Sequence, residues 1–165
     1  MKGHFPRVLV LAGLFLCSPL LSGRADAQTV TTTMTVTANV VASCSVVGGT
    51  LAFGNYDPIS AVPTDGSLLI AVRCTRGVTA QIGLGLGSNA SGATRRMTDA
   101  SNFLTYELYK DAARTTIWGN TGTDRVQYIS VSNAVVNFTV NGRVAALQDV
   151  PVGAFTDTVT ITVTF

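Results

Sequence analysis

Histidine occurs once in this 165-residue chain, as His4, and cysteine three times, as Cys17, Cys44 and Cys74. His4 and Cys17 fall in an N-terminal stretch with the pattern of a cleaved leader. Without them the chain cannot build a Ser-His-Asp or Cys-His nucleophile, a histidine zinc site or a histidine proton shuttle. A Ser-Lys pair would have to use Lys110, the only lysine after Lys2, in a polar turn where a solvated charge is the simpler reading. The carboxylates beyond the leader are Asp57, Asp65, Asp99, Glu107, Asp111, Asp124, Asp149 and Asp157. Most lie in predicted turns, where Asp caps the backbone, and no spacing singles out a glycosidase pair. Asp57 and Asp65 come nearest to a loop-borne ion site, and turn chemistry accounts for both.

Gly83-x-Gly85-x-Gly87 has the spacing of a phosphate loop. It lacks a following helix and a Lys-Ser/Thr, so close packing or a bulge is expected instead. Arg95-Arg96 reads as a small basic spot in a long exposed loop. Asn89-Ala90-Ser91 and Asn137-Phe138-Thr139 fit the glycosylation sequon, which matters only in a eukaryotic secretory route. Tyr106, Tyr109, Trp118 and Tyr128 could face a carbohydrate, although packing is the commoner role of such residues. No catalytic residue, metal ligand or cofactor site emerges, and an enzyme is not expected.

Lys2 and Arg7 precede an apolar run from Val8 to Leu21, and Ala25-Asp26-Ala27 supplies a small-x-small cleavage site. The expectation is a secretory signal peptide over residues 1–27, leaving 138 of the 165 residues as one domain. Of 11 Lys and Arg, Lys2, Arg7 and Arg24 would leave; of nine Asp and Glu, Asp26 would leave. Eight of each sign remain, so the sequence pI near 8.6 reflects the leader, and no basic field is left to attract nucleic acid. Cys44 and Cys74, an even pair in an exported chain, are expected to form a disulfide.

The elements that must carry these groups are strands. In Gln28–Val41 the even positions read Val30, Thr32, Met34, Val36, Ala38 and Val40, and the odd positions carry threonines and Asn39. That alternation predicts one long strand with an apolar and a hydroxyl face. Burying Val30, Met34, Val36 and Val40 would be worth roughly 1.5–3 kcal/mol each, so such a leading segment needs an acceptor, in its own domain or in another molecule. Further strands are predicted at Ser67–Cys74, Val78–Gly85, Phe103–Tyr109, Val126–Val131 and Val135–Val144. Asn141-Gly142 marks a turn or bulge inside the last of these. Ser88–Ser101 reads as a long polar loop. The chain closes on a predicted strand from Phe155 to Phe165, with Val159, Ile161, Val163 and Phe165 on one face. Seven or eight short strands without a convincing helix indicate an antiparallel β-sandwich.

Several stretches, taken in order, resemble a known family. They are Cys44 with Leu51-Ala52-Phe53-Gly54-Asn55-Tyr56, Val72-Arg73-Cys74-Thr75-Arg76-Gly77, Arg95-Arg96-Met97, and Leu104-Thr105-Tyr106-Glu107-Leu108-Tyr109. Trp118-Gly119, Asn141-Gly142-Arg143-Val144 and Val152-Gly153-Ala154-Phe155-Thr156-Asp157 complete the set. Together they are similar to the spore coat protein U domain of archaic, Csu-type chaperone–usher pilus subunits. The resemblance implies an all-β, incomplete immunoglobulin-like β-sandwich over residues 42–165, completed by a donor strand from a neighbouring subunit. It implies that residues 28–41 are an N-terminal donor extension with Val30, Met34, Val36, Ala38 and Val40 as donor residues. Val159, Ile161, Val163 and Phe165 would border the acceptor groove. The implied partners are a periplasmic chaperone, an outer-membrane usher and identical or related subunits joined head to tail.

The resulting expectation is an exported structural subunit of a pilus or surface fibre, supporting adhesion and biofilm formation at the cell surface. Two alternatives stay open. One is a monomeric secreted sandwich that binds a glycan or surface ligand, with residues 28–41 paired in its own sheet. The other is a spore or surface coat protein.

Overall fold

The computed structural model describes residues 26–165, so all but Asp26 and Ala27 of the expected signal peptide lies outside the described residues. The chain divides after Ala38, and residues Asn39–Phe165 form one unit that holds every regular element of the described residues. In chain order these are β1 (Cys44–Val47), β2 (Thr64–Cys74), β3 (Thr79–Leu84), β4 (Arg95–Thr98), β5 (Phe103–Tyr109), β6 (Val126–Ile129), β7 (Val136–Val144) and β8 (Ile161–Thr164). A 3-10 turn spans Gly122–Asp124.

All pairings are antiparallel. One sheet runs β1-β2-β7-β5-β4 and the other β6-β3-β8. The alternation of β5 explains why it sits in the middle of a layer: Leu104, Tyr106 and Leu108 point in and are buried, while their neighbours point out. Ile70, Val72, Val140 and Val144 join them from the large sheet, and Ala80, Ile82 and Leu84 come from the small one. Trp118 is 1 % exposed and donates its indole N–H to the Ile82 carbonyl at 3.0 Å. It belongs to the core, not to a carbohydrate surface. The disulfide joins Cys44 to Cys74 directly across the β1–β2 ladder. Closing 30 residues of chain contributes about 3–4 kcal/mol through the unfolded state.

Four sequence expectations change. β2 begins at Thr64, so Asp65 is a strand residue ion-paired to Arg143 and Arg114 and not a turn cap. Asn141 and Gly142 do not turn the chain; they lie in β7, opposite Ser67 and Gly66 on one side and Tyr109 and Leu108 on the other. The long polar loop is interrupted by β4, and Arg95 within it is fully buried. Finally, residues 28–41 form no ladder among the described residues. Alternation gives a segment the ability to pair, and a strand exists only where a second edge supplies the hydrogen bonds.

Candidate functional site

Edge strands β1 and β8 meet where the two sheets approach, Gly48 lying against Ile161. Beyond that contact the walls part. One wall is residues 49–58, the other residues 150–161, and the floor is the inner face of the large sheet at Leu68, Ile70, Leu104, Tyr106, Leu108, Val140 and Val144. The opening is a cleft of about 930 Å³. Leu51, Phe53, Met97, Val150, Phe155, Val159 and Ile161 give it an apolar lining. An apolar trough of this size along a sheet edge is unusual in a lone domain, because it leaves core side chains and main-chain groups without partners.

The walls are held in different ways. Residues 155–160 run beside 85–98: Gly85 N–H donates to Thr160 O at 2.9 Å, Ser88 N–H to Thr158 O at 3.1 Å, and Thr98 and Thr156 exchange two bonds of 2.9 Å. The alternation predicted from Phe155 to Phe165 is therefore present, although a regular ladder begins only at Ile161. The opposite wall has side-chain anchors. Leu51 and Phe53 rest on Gly66 and Gly142, a paired glycine shelf where an added Cβ would come within 3.0 Å of Leu51 and 2.8 Å of Phe53. Tyr56 then pins the end of the wall, donating its hydroxyl to Ala145 O at 3.0 Å and accepting from Gln148 N–H at 2.8 Å.

One polar pair stands in the apolar lining. Tyr106 donates its hydroxyl to Asp157 Oδ2 at 2.7 Å. Burial, and then the Asp157 carboxylate, push the Tyr106 phenol well above its ordinary pKa, so it stays protonated at any relevant pH. Asp157 Oδ1 accepts from Ser88 N–H, Asn89 N–H and the Asn89 side-chain amide at 2.9, 3.2 and 3.0 Å. Gly87, at φ +92°, makes this possible: a Cβ there would lie 1.8 Å from Asp157 Oδ2. The Gly83/Gly85/Gly87 run is thus a close-packing device around Asn120 and Asp157.

Behind the same wall lies Arg95, 0 % exposed. Its guanidinium donates to Leu84 O at 3.0 Å, Gly85 O at 2.9 Å and Trp118 O at 2.8 Å, and pairs with Glu107. The basic-spot reading fails for Arg95 because four partners distant in sequence converge on it. Arg96 is not a free charge either: it lies 3.9 Å over the Phe103 ring and donates to Asn89 O.

Of the residues singled out by sequence, Val159 and Ile161 line the cleft. Val163 pairs with Ile82 and packs against the core, and Phe165 is exposed beyond the end of β8. Val30, Met34, Val36 and Val40 are exposed; Ala38 is exposed as well. Sequence reasoning did not name Leu51, Phe53, Val150 or Phe155 as lining residues, although the alternation Leu51/Phe53 and Phe155/Val159/Ile161 was there to use. The carboxylates do other work. Asp57 caps its own turn through Ile59 N–H, and Asp111 caps Thr115 and Thr116. Among the described residues, no cluster of three His, Cys, Asp or Glu side chains could hold a metal ion.

Comparison with known proteins places this geometry. Over its full length the chain is 39 % identical to Protein U of Myxococcus xanthus, across 182 aligned positions and 98 % of that protein. Among solved structures, the CsuC–CsuE complex of a chaperone and a tip adhesion subunit, from archaic chaperone–usher Csu pili of Acinetobacter baumannii, matches 76 % of this chain. The match has a TM-score of 0.57 and 25 % identity, and the chain spans 40 % of that longer one. The shared fold is all-β and immunoglobulin-like. The Spore Coat Protein U domain profile covers residues 30–162, which takes in the first donor-like residue, both cleft walls and the disulfide; this chain belongs to the Spore Coat Protein U domain family.

Proposed function

We propose that this protein is a structural subunit of an extracellular pilus or surface fibre, assembled through the chaperone–usher pathway by donor-strand exchange. The observation that carries the reading is the apolar cleft between residues 49–58 and 150–161, in a chain whose exposed leading segment has valine or methionine at four of its six alternate positions. A strand entering the cleft would satisfy the free wall through main-chain hydrogen bonds and place alternate side chains over Leu68, Ile70 and Val140. Residues 28–41 of one subunit fit that role for the next, with Val30, Met34, Val36, Ala38 and Val40 facing inward. Because donor and acceptor are different surfaces, the contact does not close on itself and the product is a filament.

Until a neighbour arrives the cleft needs a cover, which is the task of a periplasmic chaperone before an outer-membrane usher exchanges it. Similarity to a solved chaperone–subunit complex supports the chaperone step. Export to the periplasm followed by surface display, with adhesion and biofilm formation as its use, completes the proposal. The family's spore coat name favours a second product of the same exchange, a coat layer in place of a pilus.

The test uses the oxidised chain beginning at Gln28. Gel filtration and electron microscopy should show end-to-end multimers that a molar excess of a synthetic 28–41 peptide shortens to capped monomers. Val36→Asp should abolish them, since a buried carboxylate without a partner costs more than the apolar contact it replaces. A chain that stays monomeric at high concentration, with a melting temperature indifferent to the peptide, would sink the proposal.

A further inference from the structure

Resting on the donor-strand reading, we infer that the hydrogen-bonded pair Tyr106–Asp157 is a register mark in the cleft, read by the hydroxyl of Thr32 on the incoming segment. The inward row of that segment is Val30, Thr32, Met34, Val36, Ala38 and Val40, apolar except at Thr32. The cleft has a matching departure. Its 155–161 wall presents Phe155, Asp157, Val159 and Ile161 inward, apolar except at Asp157.

The hydrogen-bond inventory says which chemistry fits there. Tyr106 spends its proton on Asp157 Oδ2, and Oδ1 is filled by three N–H donors. What remains is acceptor capacity: a second lone pair on Oδ2 and the lone pairs of the phenol oxygen. The pair therefore asks for a donor. The other phenol in the lining, Tyr56, already donates to Ala145 O and accepts from Gln148 N–H, so it asks for nothing. Thr50, Asn55, Thr156 and Thr158 line the rim from solvent-exposed positions. Among the lining side chains, the Tyr106–Asp157 pair is the one both set back from the rim and left with acceptors to fill.

A threonine hydroxyl has one proton to give and two lone pairs, and its methyl group keeps the apolar contact on either side. At any other inward level it would enter the apolar lining without a partner, which is costly. Sliding the segment by one inward position moves Val30 or Met34 onto the acceptor pair and Thr32 into hydrocarbon, so a single slip incurs two penalties. Ala38, the smallest residue of the row, would fit sterically but would leave the acceptors dry. The two polar departures thus select one register where an all-apolar row would allow several.

Thr32 lies outside the unit spanning Asn39–Phe165 and in no strand, so its variants test the contact and not folding. In the full chain from Gln28, the lifetime of multimers after dilution is read by gel filtration for the parent, Thr32→Ser, Thr32→Val, and Thr32→Val combined with Met34→Thr. Thr32→Ser should hold within about threefold of the parent. Thr32→Val should shorten the lifetime about tenfold, which is about 1.4 kcal/mol. The chain whose hydroxyl is shifted by one inward position should lose at least as much again. Thr32→Val multimers as long-lived as the parent's would overturn the register mark while leaving donor-strand assembly standing. A parent chain that forms no multimers would overturn both.

Discussion

The most exacting consequence of the structure concerns Arg95, because a charged side chain at 0 % exposure is costly unless every donor is met. Replacing it by methionine keeps much of the volume and removes the charge. Three carbonyls, Leu84 O, Gly85 O and Trp118 O, then lose a donor inside the sandwich, and Glu107 loses its cation. Each carbonyl left without that partner costs on the order of 1 kcal/mol, at the low end because a carbonyl has a second lone pair. Glu107 is 24 % exposed and regains some water, so its share is about 1 kcal/mol and not the 3–5 kcal/mol of a fully buried orphan. The expected loss is about 4 kcal/mol, a large part of a typical domain's stability, and roughly 10–20 °C in melting temperature at this size.

Urea unfolding of the oxidised chain reads this directly, since Trp118 is the single tryptophan and sits in the same network. Runs at several protein concentrations separate folding from association. Arg96→Met is the matched control, losing one exposed stacking contact and one hydrogen bond, about 1 kcal/mol. Adding Glu107→Gln to Arg95→Met should recover part of the loss. If Arg95→Met costs no more than Arg96→Met, the guanidinium is solvated and the buried network does not exist.

Two further outcomes follow from the site. Gly87→Ala meets both a φ of +92° and the Asp157 carboxylate, and should cost about 3 kcal/mol. Gly54→Ala at φ +72°, with nothing within 4 Å, should cost about 1 kcal/mol, so equal melting temperatures for the two would refute the packing around Asp157. Acid should act late. Asp65 is held below its ordinary pKa first by its hydrogen bond from Arg143, Asp99 first by the Asn102 N–H, and Asp111 is lowered to about 2 first by the Thr115 N–H and then by the Thr116 N–H. A folded-state pKa below the unfolded value near 3.8 means that the unfolded chain takes up protons first. Stability is then fully present above about pH 4 and falls from there to about pH 2. Melting temperature followed from pH 6 to pH 2 should be flat in its upper half, and assembled fibres should survive pH 4; a decline between pH 6 and pH 5 would contradict this.

What could be read from sequence was whatever repeats locally. Leu104, Tyr106 and Leu108 alternate with outward-facing neighbours, so β5 is visible from seven residues, and the pairing of Cys44 with Cys74 needs only parity and the expectation of export. Arg95 was illegible for the opposite reason. Its burial depends on carbonyls at 84, 85 and 118 and a carboxylate at 107, which no window around Arg-Arg-Met-Thr contains. Asn141-Gly142 carries a hairpin signature and yet is mid-strand. Gly142 is needed there as a shelf for Phe53, 89 residues earlier in the chain, and tertiary packing overrides the turn preference.

The cleft lies between these cases, and the difference bears on how it would be filled. Its 155–161 wall is tied to the sheet by main-chain bonds through Gly85, Ser88 and Thr98. Among the described residues, nothing hydrogen-bonds to the main chain of 49–56, and that wall stands on Leu51, Phe53 and Tyr56. Side-chain anchors on a glycine shelf let a wall shift by a fraction of an ångström without breaking a ladder, whereas the bonded wall cannot move alone. On the proposed donor-strand reading, an entering strand would take its position from residues 155–161 and draw residues 49–56 onto itself. By the same argument the proposed register mark at Asp157 would sit on the more firmly bonded wall, and substitutions at Leu51 or Phe53 should change how tightly a strand is held more than where it sits.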